Sequence, residues 1–266
     1  MEQLESFTAS PRLSLAYTWD DHISSVKEVI QDALYLLRKE IAAIKPTIWS
    51  HEEDDISFIL HDCLKEANAK LRKVGRGVPH YFIYQGQNQP SPGDRSRDRH
   101  LKKRPDFLWG MLDDTQTDVR RSQRFYCIEC KRLGKYLRAD RIYNQFYVEN
   151  GVARFVLEEW GYAKSEQEAT MIAYVHSMEF DDILNEVNVA ATTFNVAATT
   201  VGIAPLPAPS GGWVDKGLSI MVQPLVRCWA PFPFELHHFW IDLRDCYRDE
   251  PKPRALRSSR ATTKPT

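Results

Sequence analysis

The sequence lacks any long apolar run, and none approaches the roughly 18 residues that a membrane-spanning helix needs. It also lacks the apolar stretch of a secretory leader, because Met1-Glu2-Gln3-Leu4-Glu5 is acidic and is not followed by such a stretch. These two absences predict a cytoplasmic protein that has no membrane partner.

Cysteine is scarce, and a glycine-rich phosphate loop is missing. Five cysteines are an odd number without framework spacing, which predicts reduced thiols rather than a disulfide scaffold. Cys127 and Cys130 have the spacing of a zinc or redox pair, but residues three apart on a strand point to opposite faces. Gly75-Arg76-Gly77 is too short to cradle phosphates, and no Gly-Lys-Ser/Thr string occurs, so nucleotide hydrolysis is not predicted.

The net charge of −1 gives no overall sign of nucleic-acid binding. The distribution of the basic residues is more informative, because they gather in three runs between residues 95 and 141. The first run comprises Arg95, Arg97, Arg99, Lys102, Lys103 and Arg104; the others comprise Arg120, Arg121 and Arg124, then Lys131, Arg132, Lys135, Arg138 and Arg141. A single charged run is typical of a solvated surface, but three runs around one acidic pair favour a phosphate-binding surface.

Apolar residues recur every three or four positions in two early segments, which predicts two amphipathic helices. The first covers 20–44, and the second begins after Ser50 and ends near Lys73. Ser50 is expected to cap the second helix, with Glu53 as its capping-box partner. Core packing is the default expectation for the first helix, while a homo-oligomer contact or a partner-protein contact stays open.

Shorter apolar runs, separated by polar turns, predict strands further along the chain. Strands are expected at 80–84, 104–112, 123–131, 152–157, 170–176, 218–227 and 236–243, helices at 138–149 and 180–190, a basic loop at 86–103 and a connector at 191–212. This order predicts an α/β fold in which helices flank a mixed sheet. The expected division is an N-terminal helical extension at 1–49, one α/β domain at 50–247 and a disordered basic tail at 248–266.

Two short strings about 20 residues apart bring acids and a lysine into this pattern: Arg104-Pro105-Asp106-Phe107 and Ile128-Glu129-Cys130-Lys131. Side chains alternate along a strand, so Glu129 and Lys131 point to the same face. A polar turn at 113–117 separates the two strands, and their pairing as a hairpin would bring Asp106 to the same patch. Two carboxylates and an ammonium together suit a divalent cation and a phosphodiester.

These strings resemble the signature of the PD-(D/E)xK nuclease superfamily, which has the restriction-endonuclease-like fold. Pro105-Asp106 is similar to the first half of the signature, and Glu129-Cys130-Lys131 to the second. The α-β-β-β-α-β order predicted between residue 50 and about 157 is similar to the core of that fold. The chain also looks like small nucleases of bacterial anti-phage or mobile-element loci.

The resemblance implies a Mg²⁺-dependent endonuclease that acts on DNA rather than RNA, with Mn²⁺ able to substitute. Asp106, Glu129 and the backbone carbonyl of Cys130 would ligate the metal. Glu53 would add a ligand directly or through water, and Lys131 would position the attacking water. The residues expected to contact nucleic acid are Arg95, Arg97, Arg99, Lys102, Lys103, Arg104, Arg132, Gln145 and Tyr147.

Other interpretations stay open at the level of sequence. Asp106 and Glu129 are structural acids in one of them, paired with nearby basic residues. In another, the chain is a catalytically weak nucleic-acid-binding or assembly subunit of the same fold. A third is a metal-dependent hydrolase of a different phosphate substrate. Arg154 has two possible partners, a phosphate or Glu158.

Overall fold

The computed structural model describes residues 17–45, 52–80, 82–88, 102–118, 122–135, 142–197, 202–227, 229–230 and 233–247. Within them, one mixed six-stranded sheet carries helices on both faces. One face is covered by α1 (Trp19–Ile44) and α2 (Glu53–Lys73), and the other by α3 (Tyr143–Tyr147), a π-helical turn (Val148–Val152), α4 (Ala153–Val156) and α5 (Phe180–Ala197). The expected α/β class, a mixed sheet flanked by helices, is confirmed.

The strands are β1 (Phe82–Tyr84), β2 (Phe107–Leu112), β3 (Gln123–Leu133), β4 (Glu168–Val175), β5 (Leu218–Leu225) and β6 (Phe234–Asp242). Their spatial order is β1-β2-β3-β4-β6-β5. The central strands β3, β4 and β6 are parallel, and the remaining neighbours are antiparallel. The predicted hairpin of β2 and β3 is confirmed, and it places β3 where helices cover both of its faces.

The first two helices form because each has an apolar stripe of helical period that packs against the sheet and the other helix. The helix predicted at 20–44 is confirmed, and its stripe, which includes Val26 and Ile30, is fully buried. The capping prediction for α2 was wrong: Glu52 is the N-cap, and its backbone N–H donates to the Asp55 carboxylate. Glu53 is therefore the first helical residue, and its side chain is free to reach the sheet. Ser50 lies outside the described residues.

The strand predicted at 152–157 was wrong, because this stretch continues the helical segment as α4. Val152, Phe155 and Val156 are all buried, and their spacing of three and four places them on one side of a helix. Gly151 lets this segment approach the sheet closely: a Cβ there would lie 2.6 Å from Met171 Cε and 3.2 Å from Lys131 Cγ. Close packing over β3, rather than the β-propensity of valine and phenylalanine, decides the local structure.

The remaining elements follow the predicted order with shifted bounds. Helix α5 extends to Ala197, so it includes the first residues of the connector predicted at 191–212. The helix predicted at 138–149 begins at Tyr143 among the described residues. Most of the basic loop at 86–103 and all of the tail at 248–266 lie outside the described residues. Among the helices that are described, none is both long and apolar enough to cross a lipid bilayer.

Candidate active site

The β2–β3 hairpin brings Asp106 to the acidic end of β3. Phe107 pairs with Ile128, so Asp106, directly before β2, lies opposite Glu129. The backbone N–H of Cys130 donates to Asp106 Oδ2 over 2.6 Å, and this bond fixes the position of the carboxylate on the sheet. The two strings of the sequence therefore meet at one place, as the hairpin prediction required.

Lys131 is the centre of the cluster. Its Nζ donates to Glu129 Oε1 and Glu53 Oε1, each over 2.8 Å, and to the backbone carbonyl of Cys130 over 2.6 Å. Glu129 and Lys131 share a face of β3, as their spacing predicted. Glu53 reaches them from the first turn of α2, and its Oε2 accepts the backbone N–H of Arg132 over 3.2 Å. The structure thus brings Glu53, Glu129 and Lys131 into direct contact.

A second cation, Arg154, contacts the same carboxylate oxygen of Glu129 that Lys131 contacts. Its Nη1 donates to Glu129 Oε1, and its guanidinium lies 4.5 Å from the centre of the Trp160 ring. Arg154 projects from α4, which the sequence predicted as a strand, so its contact with Glu129 could not be placed from sequence. The Trp160 ring also contacts a further cation, because Lys103 Nζ lies 3.7 Å from its centre.

Burial makes the charges of this cluster strongly interdependent. Glu129 has no exposed surface and Lys131 has 7%. Burial and the neighbouring charge of Glu129 raise the pKa of Asp106 well above its ordinary value. Burial also raises the pKa of Glu129, although Lys131 and Arg154 oppose this shift. For Lys131, burial alone would lower the pKa, but the carboxylates of Glu129, Glu53 and Asp106 reverse the effect and raise it, so the lysine stays charged.

The acid cluster contains a carboxylate oxygen that suits a divalent cation. Glu129 Oε2 is buried and accepts no hydrogen bond from any residue that the structure describes. A buried carboxylate oxygen without a partner is costly, and a hard cation would satisfy it. No group of three or more His, Cys, Asp or Glu in the described part of the chain is arranged to hold a metal ion. A smaller set of donors remains, namely the carboxylates of Asp106 and Glu129 and the Cys130 carbonyl. This set fits Mg²⁺, because Mg²⁺ keeps several waters and takes one or two protein carboxylates.

The predicted nucleic-acid contacts fall into three groups. Arg95, Arg97 and Arg99 lie outside the described residues, and Lys102 and Arg104 are exposed on the approach to β2. Arg132 is buried, with its guanidinium 4.4 Å from the Tyr143 ring centre, so it is held in the interior.

The last two predicted contacts lie on α3. Gln145 is partly exposed, and its Nε2 donates to Glu149 over 2.7 Å. Tyr147 has no exposed surface, and its hydroxyl lies 2.5 Å from His238 Nδ1. The structure does not bring Tyr147 to the surface or to the acid cluster, because α3 turns this side of its helix toward the sheet.

Comparison with protein-family models gives no match for this chain. Curated proteins and solved structures likewise give no significant match. The function is therefore inferred from the side chains of the site, and no relative contributes a residue role.

Proposed function

We propose that this chain is a metal-dependent nuclease that hydrolyses phosphodiester bonds of DNA. The observation that carries the proposal is the convergence of Glu53 and Glu129 on the buried ammonium of Lys131, with Asp106 on the adjoining strand. An apolar core gains little from such a cluster, because the desolvation of several charges offsets their attraction. Glu129 Oε2, which has no hydrogen-bond partner among the described residues, would bind a cation in addition to the ion pairs that Oε1 makes.

Asp106, Glu129 and the Cys130 carbonyl would hold Mg²⁺ or Mn²⁺, with Glu53 as an additional ligand through water. The bound metal would supply positive charge that stabilises the phosphoryl oxygens as charge develops on them. Three hydrogen bonds hold the Lys131 ammonium in the cluster and use all three of its N–H donors, so one of them would be exchanged for water or a phosphate oxygen when substrate binds. Arg154 adds a second fixed cation next to Glu129.

The choice of substrate follows from charge around the site and from the resemblance of the two strings to the PD-(D/E)xK superfamily. Lys102, Lys103 and Arg104 lead directly into β2 and would contact backbone phosphates, which bind without reading bases. An endonuclease in a bacterial defence or mobile-element setting, acting in the cytoplasm, is the form of the proposal that the resemblance supports.

The proposal is tested by incubating supercoiled plasmid with the purified chain and Mg²⁺, with and without EDTA. The parent should nick or linearise the plasmid only when the metal is present. Glu129→Gln should reduce the rate at least a hundredfold, since the metal contribution is worth several kcal/mol. Glu66→Gln is the matched control, because Glu66 is an exposed acid of α2 paired with Lys70, away from the cluster. Equal cleavage by the parent and Glu129→Gln would remove the assignment.

A second candidate is a DNA-binding or assembly subunit with a weak site. It is favoured by the double pairing of Glu129, whose Oε1 accepts from both Lys131 and Arg154. In that case the cluster is a structural ion-pair network. The same parent protein would then bind duplex DNA in a gel-shift assay and leave the plasmid intact at every metal concentration.

A further inference from the structure

A groove lies between α2 and the edge strand β1, outside the acid cluster. Its volume is about 340 Å³, and its walls include His61, Lys65, Arg72, His80 and Phe82. Among the described strands, β1 is the last of the sheet on this side, so the groove lies at the edge of the described sheet. No residue of the groove takes part in the chemistry proposed above.

Aromatic rings lie in and beside the groove: His61 and Phe82 line it, and Phe58 and Tyr84 lie against His61. The ring centre of His61 lies 5.2 Å from that of Phe82 and 5.5 Å from that of Tyr84. Phe58 stands on the outer side, 6.5 Å from both His61 and Tyr84, and is 58% exposed. The exposed ring of Phe58 and the partly exposed rings of His61 and Tyr84 beside it suit the flat faces of nucleic-acid bases, which stack on aromatic side chains irrespective of sequence.

Two cations lie further along the same wall. Lys65 is exposed, and its ion pair with Asp62 over 2.7 Å is itself exposed and therefore weak. Arg72 is held by its stem, because a Cβ on Gly77 would lie 2.4 Å from Arg72 Cγ. A lysine and an arginine beside a row of rings supply the phosphate contacts that stacked bases alone lack.

The two elements that form the groove also lead to the candidate active site. Tyr84 precedes Gln85, whose backbone N–H donates to the carbonyl of Asp106 over 2.8 Å. Helix α2 begins at Glu53 in the acid cluster, and Arg72 lies about 28 Å further along its axis at the helical rise of 1.5 Å per residue. This length is compatible with a short stretch of single strand, at the low end of the roughly 4–16 nucleotides that stacking grooves bind.

We propose that the α2–β1 groove binds nucleoside phosphates, namely those of a single nucleic-acid strand that extends from the candidate active site. The rings of Phe58, His61 and Tyr84 receive bases, and Lys65 and Arg72 receive phosphates. The strand's place at the acid cluster rests on the proposed function, whereas the affinity of the groove for nucleoside phosphates does not depend on cleavage.

The test is the fluorescence anisotropy of a labelled 12-mer of thymidylate, titrated with the full chain in EDTA so that no metal-dependent reaction occurs. Phe58→Ala and His61→Ala should each weaken binding about tenfold. Lys65→Gln combined with Arg72→Gln should flatten the slope of log K against log salt by about 1.4, or about 0.7 for each lost phosphate contact. Lys70→Gln, an exposed lysine of the same helix outside the groove, is the control and should change neither quantity.

Phe58 is exposed, so its variant keeps the fold, and thermal melting of every variant verifies this. Unchanged affinity and salt slope in all groove variants would overturn the proposal, as would a parent that fails to bind the 12-mer. If thymidine monophosphate alone binds the groove as tightly as the 12-mer, the ligand class stands and its source is a free nucleotide, which overturns the strand assignment. If the parent cuts no plasmid but the groove variants still lose binding to the 12-mer, the groove assignment stands and the nuclease proposal is rejected.

Discussion

At the scale of single residues, Lys131 joins three acceptors from two elements, α2 and β3. Its ammonium binds Glu53 on α2, Glu129 on its own strand and the carbonyl of Cys130. Burial alone would lower the pKa of this lysine, but Glu129, Glu53 and Asp106 raise it and keep the lysine charged. The lysine is therefore both the counter-ion that makes the acid cluster tolerable and the proposed phosphate-facing group.

Lys131→Gln should abolish plasmid cleavage while Mn²⁺ binding, measured by calorimetry, stays within a few fold of the parent. Glutamine keeps a hydrogen-bond donor but removes the charge that would stabilise the phosphate. Lysine is not a Mn²⁺ ligand, so the donors Asp106 and Glu129 remain. Lys27→Gln is a matched control, because Lys27 is also ion-paired to a glutamate, Glu168, at a place outside the cluster. Normal cleavage by Lys131→Gln would make the lysine a purely structural cation.

At the scale of elements, the helical segment at 143–156 positions the site from above the sheet. Gly151 allows this segment to lie directly on Met171 and on the stem of Lys131. Arg154, one turn later, can then reach Glu129. The position of one small residue thus sets the distance between a helical layer and the strand that carries the acids.

Gly151→Ala should lower the free energy of unfolding by about 1 to 3 kcal/mol, because the added methyl group meets a packed core. It should also slow cleavage, since the segment moves away from Lys131. Met171→Ala should restore part of the cleavage rate in the double variant, because it removes the atom that the new Cβ would meet at 2.6 Å. Gly211→Ala, where a Cβ meets nothing within 4 Å, should leave both quantities unchanged. Chemical denaturation and the plasmid assay measure the two effects, and additive losses in the double variant would contradict the steric explanation.

The sequence was sufficient for elements whose local pattern agrees with their packing. The stripes of α1 and α2, the alternation of β3 and the polar turn before it predicted those elements and the meeting of Asp106 with Glu129. It was insufficient where packing overrides propensity, as at 152–157, whose apolar residues suit a strand equally well. The pairing of Arg154 with Glu129 depends on that segment, and the burial of Tyr147 depends on which side of α3 packs against the sheet, so neither was within reach of a local pattern.

At the scale of the whole molecule, the two helical layers bury polar networks as well as apolar side chains. Tyr147, His238, Gln223 and Trp240 form one such network beneath α3. Burial lowers the pKa of His238 to about 3, and His237 contributes to the same direction. His238 is therefore neutral in the folded chain throughout the physiological range.

Acid should destabilise the fold through His238. An unfolded histidine has a pKa near 6.5, whereas the folded one is about 3. Between these values the unfolded chain binds a proton that the folded chain does not, so the free energy of unfolding falls as pH falls, by about 1.4 kcal/mol per pH unit for this one group. His238→Gln should flatten the parent's slope between pH 6 and 4 by about that amount, measured by urea denaturation. Because the other titrating groups are common to both proteins, parallel slopes would show that His238 is protonated in the folded state.

The candidate site is assembled from residues that lie far apart in the chain. Glu53 meets Lys131 across 78 positions, and β3 is enclosed only when β4 pairs beside it and β6 beside β4. A chain emerging from the ribosome therefore lacks the third parallel strand of its sheet until the residues of β6, Phe234–Asp242, have been made. For most of its synthesis the chain thus holds every acid of the candidate site in an incomplete sheet, and products truncated before Phe234 would test whether the site forms without β6.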